Sequence, residues 1–433
     1  MNWHRTDLAN VIALLQSGSR PKGGVFTDTG EVMSLGGENI VQQGGVKLRD
    51  VKRVPLTFYE AMTKGHLQDR DVLINKDGAN TGKVGLFVDS GDGPACINEH
   101  LFLLRGDASK ITQEYLYYTL LSERGQTIIR NRISGSAQPG LKSGFTNNFL
   151  IDLPESTDEQ EKIGEILGTL DRAIEQTEAL IAKQQRIKTG LMQDLLTKGI
   201  DEHGTIRSEA THAFKDSPLG RIPVEWDVQS LDVLLTDIGQ GWSPDCDSES
   251  AGVGEWGVLK TTAIVWEGFN SRENKRLPSN LKPRPHLEIK VGDVLMTRAG
   301  PNSRVGVVCY VYETEPMRIL SDKLYRLETS DAVYGRFLVY SLSGFAAQRH
   351  LSNLKTGMAE SQTNISQDIV RKLITVVPKP EEQRKIADLL DKASSEYADN
   401  HAALLKLHRL KHGLMHDLLT GERRVTPLLQ GDA

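Results

Sequence analysis

The chain has 433 residues, 38% of them apolar and 25% charged, with a formal net charge of −5. That length exceeds one ordinary core and fits two medium domains with connecting elements, and the apolar share excludes a largely disordered chain. A mildly negative total excludes a protein that is basic throughout, but not nucleic-acid binding, which depends on local patches.

The opening MNWHRTDLAN has no basic stretch followed by an apolar run, and no apolar segment is long enough to span a bilayer. A cytoplasmic protein without membrane contact is expected. The first part, of roughly 150 residues, holds short apolar runs between glycine-rich turns: DVLINKDG at 71–78, KVGLFVD at 83–89 and HLFLLRG at 100–106. Their β-branched residues and flanking glycines predict strands. A short helix is expected around 112–124, capped by Thr112, with Tyr115, Leu116 and Leu120 on one side.

From residue 159 the rhythm becomes alternating steps of four and three. Ile163, Leu167, Leu170, Ile174, Thr177, Ile181, Gln184, Lys188, Leu191 and Leu195 then share one seam of a long helix, about 55–60 Å in length. Residues 198–220, KGIDEHGTIRSEATHAFKDSPLG, read as a polar return. Beyond it GDVLMTRAG at 292–300 and RVGVVCYVY at 304–312 predict strands, and a helix is expected from about 332 to 351. A second seam follows through Ile386, Leu390, Ala393, Tyr397, Asn400, Leu404, Leu407, Lys411, Leu414 and Leu418. One such stripe is explained by a helix packed on its own domain. Two stripes of equal length favour a helix–helix pair, with Thr177, Gln184, Asn400, Lys188 and Lys411 fixing register at some cost in stability.

The halves match each other at an offset of 223 residues: Trp3 with Trp226, Leu8 with Leu231, Gly18 with Gly241 and Pro21 with Pro244. EQEKIGEIL at 159–167 matches EQRKIADLL at 382–390, and GLMQDLLT at 190–197 matches GLMHDLLT at 413–420. RDVLI at 70–74 matches GDVLM at 292–296 with a slip of one residue. Two long repeats mean tandem domains rather than a solenoid. The polar return allows the helices to run antiparallel, with the variable domains at opposite ends.

No catalytic constellation stands out. Asp293 lacks a nearby acidic-x-Lys motif, and the glycines of NKDGANTG follow neither the P-loop nor the dinucleotide-binding pattern. His408, His412 and His416 recur every four residues, which fits a polar stripe better than a metal site. Cys96, Cys246 and Cys309 are too dispersed for a disulfide scaffold or a zinc motif. DNA reading needs Arg or Lys for guanine, Asn or Gln for adenine, and hydroxyls for several edges. Loop candidates in the first repeat are Lys47, Lys76, Asn80, Lys83, Gln138 and Lys142. In the second they are Lys260, Ser271, Arg272, Lys275, Arg298, Asn302, Arg304, Gln362 and Asn364. Any one of them serves equally well as a phosphate contact or a solvated surface group. Lys76 and Arg298 form a matched pair, each following the repeated DVL segment.

LGRIPVEW at 219–226, the spacing of Gly241 and Pro244, GDVLMTRAG, NKDGANTGKVG at 75–85 and the two EQ-x-K-I segments together resemble the specificity subunits of type I restriction–modification systems. The resemblance covers essentially the whole chain. The first helix opens on IDLPESTDEQ where the second has VVPKPEEQ, and no IP-x-x-W precedes Trp3. The resemblance implies mixed α/β (α+β) target-recognition domains alternating with long helices in an antiparallel coiled coil, a pseudo-twofold tandem repeat. The expected division is 1–154 and 221–377 for recognition, 155–200 and 378–424 for the helical regions, 201–220 as connector and 425–433 as tail. It further implies a non-catalytic reader of split double-stranded DNA. Its partners would be two modification methyltransferase subunits and up to two restriction motor–nuclease subunits. No cofactor is expected in this chain; S-adenosylmethionine belongs to the modification partners, and ATP and Mg2+ to the restriction partners. A methyltransferase-only or fused-type system, or a coiled-coil protein adaptor, are the alternatives.

Overall fold

The computed structural model describes residues 2–22, 24–25, 30–41, 44–135, 139–246, 248–355 and 360–429. It divides into two compact units, Met1–Glu178 with Ala402–Ala433, and Ala179–His401. Each unit is built to the same plan, so the repeat in sequence is a repeat in structure.

In the first unit a four-stranded antiparallel sheet runs in the order Ile12–Ser17, Leu101–Gly106, Val72–Asn75, Val84–Leu86. Side chains alternate between its faces. Val72, Ile74, Phe102 and Leu104 enter one core, while Leu73, Leu101 and Leu103 enter another with Met33, Leu35 and Phe87. Both faces are covered, which is why these runs are apolar throughout rather than alternating. A smaller mixed sheet, Arg53–Val54, Val32–Leu35 and Ala95–Ile97, supplies the second cover.

The second unit repeats this arrangement. Its main sheet is Leu235–Gln240, Leu324–Thr329, Val294–Thr297, Val308–Tyr310, and its small sheet is Asn274–Arg276, Gly257–Leu259, Arg318–Ile319. Even the register shift in the first strand recurs, between Ile12 and Leu14 and between Leu235 and Asp237. The run 304–312 is shorter as a strand than its composition predicts, because Asn302–Arg304 forms a 3-10 turn first.

Thr112 caps the helix Gln113–Leu121, accepting from the Tyr115 amide at 3.3 Å. That helix stops at Ser122, whose extended backbone turns the chain and whose Oγ caps a further helix, Glu123–Arg130, that the apolar pattern does not announce. The helix expected at 332–351 is likewise two, Gly335–Ser343 and Phe345–Leu354, broken where Gly344 is extended (ψ 152°).

Two long helices, Thr157–Thr197 and Pro380–Leu419, contribute to both units. In the first unit Asp171 pairs with Lys411 at 2.5 Å and Glu159 with Arg424 at 2.7 Å, so residue numbers rise on one side as they fall on the other. In the second unit Asn400 donates to Gln184 at 3.0 Å, Lys188 lies 5.8 Å from the Tyr397 ring, and Leu195 joins the core that holds Ile386 and Leu390. Both pairings are antiparallel. Ile163, Leu167, Ile174, Ile181 and Leu195 on the first helix and Ile386, Leu390 and Leu418 on the second are buried. Leu170, Leu191, Tyr397, Leu404, Leu407 and Leu414 are partly buried.

The EQ pair at the start of each long helix fastens it to its unit. Gln160 accepts from the Thr112 amide at 2.8 Å and donates to the carbonyls of Lys110 and Pro154. Gln383 does the same for Tyr334 at 2.7 Å, Ala332 and Pro378. Glu382 accepts from Arg207 at 2.5 and 3.2 Å, from the Trp226 indole at 3.1 Å and from the Ile200 amide at 3.0 Å. Glu159 is held by Arg424 at 2.7 and 2.9 Å, with that guanidinium 5.5 Å from the Trp3 ring. A glycine in the left-handed region lets the chain pass each tryptophan: Gly199 (φ 63°) and Gly421 (φ 75°), where a Cβ would come within 2.2 Å of Trp226 and 3.1 Å of Trp3. Residues 198–220 are therefore not a bare polar return. Arg207 draws them into the core, and Phe214–Ser217 pairs with Gly220–Pro223 as a hairpin.

Candidate nucleic-acid interface

In each unit, four segments converge at one end of the main sheet, where its central strands meet their loops. Gly18 and Gly241 permit the closest approach, since a Cβ there would sit 1.8 Å from the Ile97 carbonyl and 2.0 Å from the Leu320 carbonyl. The first strand can therefore end beside the turn that precedes the central strand.

In the first unit Lys76, just beyond Val72–Asn75, donates to Ser17 Oγ at 3.1 Å and lies 5.5 Å from the Phe102 ring. Asp77 bridges to Gly140 and contacts His100 Nδ1 at 2.6 Å. Glu99 pairs with Arg20 at 2.7 Å and approaches His100 Nε2 at 3.5 Å. Lys142 is exposed two residues beyond that bridge, and Asn80 donates to the Gly37 carbonyl at 3.3 Å. Lys83 is partly buried; Lys47 is exposed on a separate loop. Gln138 lies outside the described residues.

In the second unit Arg298 occupies the place of Lys76. Its Nη1 donates to the Asp322 carbonyl at 3.1 Å and its Nη2 to Asn364 Oδ1 at 2.7 Å, with the Tyr325 ring 5.3 Å away. The short strand Ala299–Gly300 pairs with Thr363–Asn364, as Asp77 pairs with Gly140. Asn302 donates to both oxygens of Glu360 at 3.2 Å, and Gln362 is exposed. Lys355 donates to the carbonyls of Asn302 and Val305 at 3.2 and 3.1 Å; burial pushes its ammonium below the usual lysine range, with Glu360 opposing. Arg304 turns inward, giving Nη2 to the carbonyls of Thr261 and Ile264 at 3.0 Å each. Lys260, Ser271, Arg272 and Lys275 gather instead around the small sheet, where Arg272 is highly exposed and 3.6 Å from Glu315.

Ser17, Glu99, His100, Asp322 and Lys355 belong to these clusters without having been singled out as readers in the sequence. The repeat offset carries the missing signal, because it places Glu99 on Asp322. Asp293 is structural: it pairs with Arg326 at 3.0 Å, as buried Asp71 pairs with Arg105 at 2.6 Å. Burial raises the thiol of Cys96 to about 11 and that of Cys309 further, so neither is a ready nucleophile. His408, His412 and His416 face Glu178, Glu123 and Glu422 at 4.0, 3.3 and 3.5 Å. Among the described residues no group of three or more His, Cys, Asp or Glu side chains is placed to hold a metal ion, and no helix is long and apolar enough to cross a membrane.

A family model described as the type I restriction modification DNA specificity domain matches residues 2–184. The type I restriction enzyme EcoEI specificity subunit of Escherichia coli is 37% identical over 172 residues, 39% of this chain and 29% of that protein, so the chain spans under a third of this relative. The MjaVIII specificity subunit of Methanocaldococcus jannaschii is 26% identical over 380 residues, 84% of this chain and 81% of that one. The fold is similar to the crystal structure of the S subunit of a type I restriction–modification system from M. genitalium, with a TM-score of 0.65, 14% identity, and 97% and 96% of the two chains covered.

Proposed function

We propose that the chain belongs to the type I restriction–modification specificity family and is the non-catalytic subunit that reads a split duplex target. The observation that carries the proposal is the twin cluster, Lys76–Ser17–Glu99 in one unit and Arg298–Asn364–Asp322 in the other. Each sets a basic side chain among polar loops at the end of a rigid sheet, the kind of scaffold that presents readers to bases. Two such sites in one chain suit two half-sites.

The paired helices would receive two modification methyltransferase subunits, with up to two restriction motor–nuclease subunits completing the assembly. S-adenosylmethionine would act in the former, and ATP and Mg2+ in the latter. The target base must leave the duplex before it is methylated, which suits a clamp around DNA better than a single contact surface. Methylome mapping of a host carrying the complete system tests the reading. With the chain present, one bipartite motif should be methylated, and without it none. Exchanging residues 1–150 for another member's domain should change one half of the motif only. Alteration of both halves would contradict two independent readers.

A further inference from the structure

The two clusters share a framework but present different chemistry. We propose that Arg298, steadied by Asn364, selects a guanine in the half-site read by the second unit, through the major-groove acceptors O6 and N7. This rests on the DNA-reading function proposed above.

The guanidinium of Arg298 is fixed at both ends, with Nη1 bound to the Asp322 carbonyl at 3.1 Å and Nη2 to Asn364 Oδ1 at 2.7 Å. Each Nη carries two hydrogens, so each retains one for a ligand. Two donors on one planar fork match guanine, whose major-groove edge alone presents two adjacent acceptors; adenine and cytosine each show an amino donor, and thymine shows a single acceptor. Asn364 steadies the fork, one lone pair of its Oδ1 accepting from Arg298 Nη2.

An independent observation is where the fold leaves polar atoms unsatisfied. Arg298 Nε, Asn302 Oδ1 and Asp322 Oδ1 are buried without hydrogen-bond partners, and Glu99 Oε2 is the counterpart of Asp322 in the first unit. Buried polar atoms are nearly always paired. At this cluster they leave polar capacity that a ligand can satisfy. At the matching place the first unit has Lys76, a single ammonium bound to Ser17 beside Asp77. It lacks the planar fork, so the fork-dependent reading proposed here belongs to the second unit.

The test uses the full chain assembled with its methyltransferase partners, the second unit's half-site having been assigned by exchanging residues 221–377. Unaltered complex is titrated with duplexes in which each guanine of that half-site is replaced in turn by 7-deazaguanine, which lacks N7. One replacement should weaken binding about tenfold. R298A should relax the methylated motif at that same position, leave the other half-site unchanged and abolish the 7-deazaguanine effect. R298K, which keeps the charge without the fork, should relax it too. A half-site without guanine, indifference to every 7-deazaguanine, or an R298A that weakens all sequences equally would overturn the proposal, the last by marking a phosphate contact. Should R298A fail to assemble, the 7-deazaguanine series on unaltered protein decides. Absence of any motif dependent on the chain would instead refute the DNA-reading function itself.

Discussion

Glu159 and Glu382 sit in the first turn of long helices, where the helix dipole alone would favour a carboxylate. Their burial against Arg424 and Arg207 makes them far more consequential than ordinary capping residues. Removing one partner of a buried pair leaves an uncompensated charge, so Glu382→Ala should cost the second unit about 3–5 kcal/mol in urea unfolding. Glu159 adds a pH signature. Burial raises its carboxyl, but hydrogen bonds and charge from Arg424, with Thr426, outweigh it and hold the group below its usual 4.5. A folded-state value below the unfolded one stabilises at neutral pH, and the gain is lost as pH falls through the folded value. The stability gap between wild type and Glu159→Gln should therefore be constant above about pH 5.5 and close as acidification proceeds. A gap unchanged down to pH 3 would show that the ion pair is not its source.

At the scale of elements, the polar positions inside the helix seam are the informative ones. Asn400 and Gln184 spend a hydrogen bond on each other where leucine would bury more apolar surface. Asn400→Leu alone should destabilise by about 1 kcal/mol, because Gln184 loses its partner. The double change Gln184→Leu with Asn400→Leu should recover that loss or exceed it, at the expense of a unique register. Thermal melts of the single and double variants read the coupling directly, and additive losses would deny that the pair interacts. The seam was legible in sequence because a heptad is a local pattern repeated many times. The clusters were not, since Lys76 meets Ser17 across 59 positions and Arg207 meets Glu382 across 175. No local period encodes such meetings. A loop arginine at a surface also reads the same as one stapling loops together, which is why Arg298 and Arg304 look alike in sequence although Arg304 turns inward to the Thr261 and Ile264 carbonyls. Gly344 carried a readable warning of its helix break, whereas Ser122 acts through a cap that only the extended backbone reveals.

For the whole molecule, both long helices run unbroken past the positions where the units divide, Glu178 and His401. One heptad inserted at each position keeps the seam in phase and adds about 10 Å to each helix. On duplex DNA that equals about three base pairs. Under the proposed function the paired insertion should lengthen the unread gap of the methylated motif by about that much and preserve both halves. A lone insertion should abolish assembly with the methyltransferase. A folded, partner-competent paired variant that keeps the original gap would show that the helices do not set it.

The composition of the first unit also dictates an order of events during synthesis. Residues 179–401 form one uninterrupted stretch, whereas the unit that starts at the amino terminus also requires residues from 402 onward. Met415, Leu418, Leu419 and Val425 lie in the same core as Leu8, Ile163 and Leu167. At ordinary elongation rates the ribosome needs roughly 10–45 s to travel from the first portion to the second. Throughout that interval the earliest-made domain waits with part of its apolar surface uncovered, and the domain encoded later is the first that can close. A message cut short before codon 402 thus yields a chain whose oldest part stays unfinished, exposed to chaperones and proteases. Completion of the first unit becomes a built-in check that translation has run through the second helix.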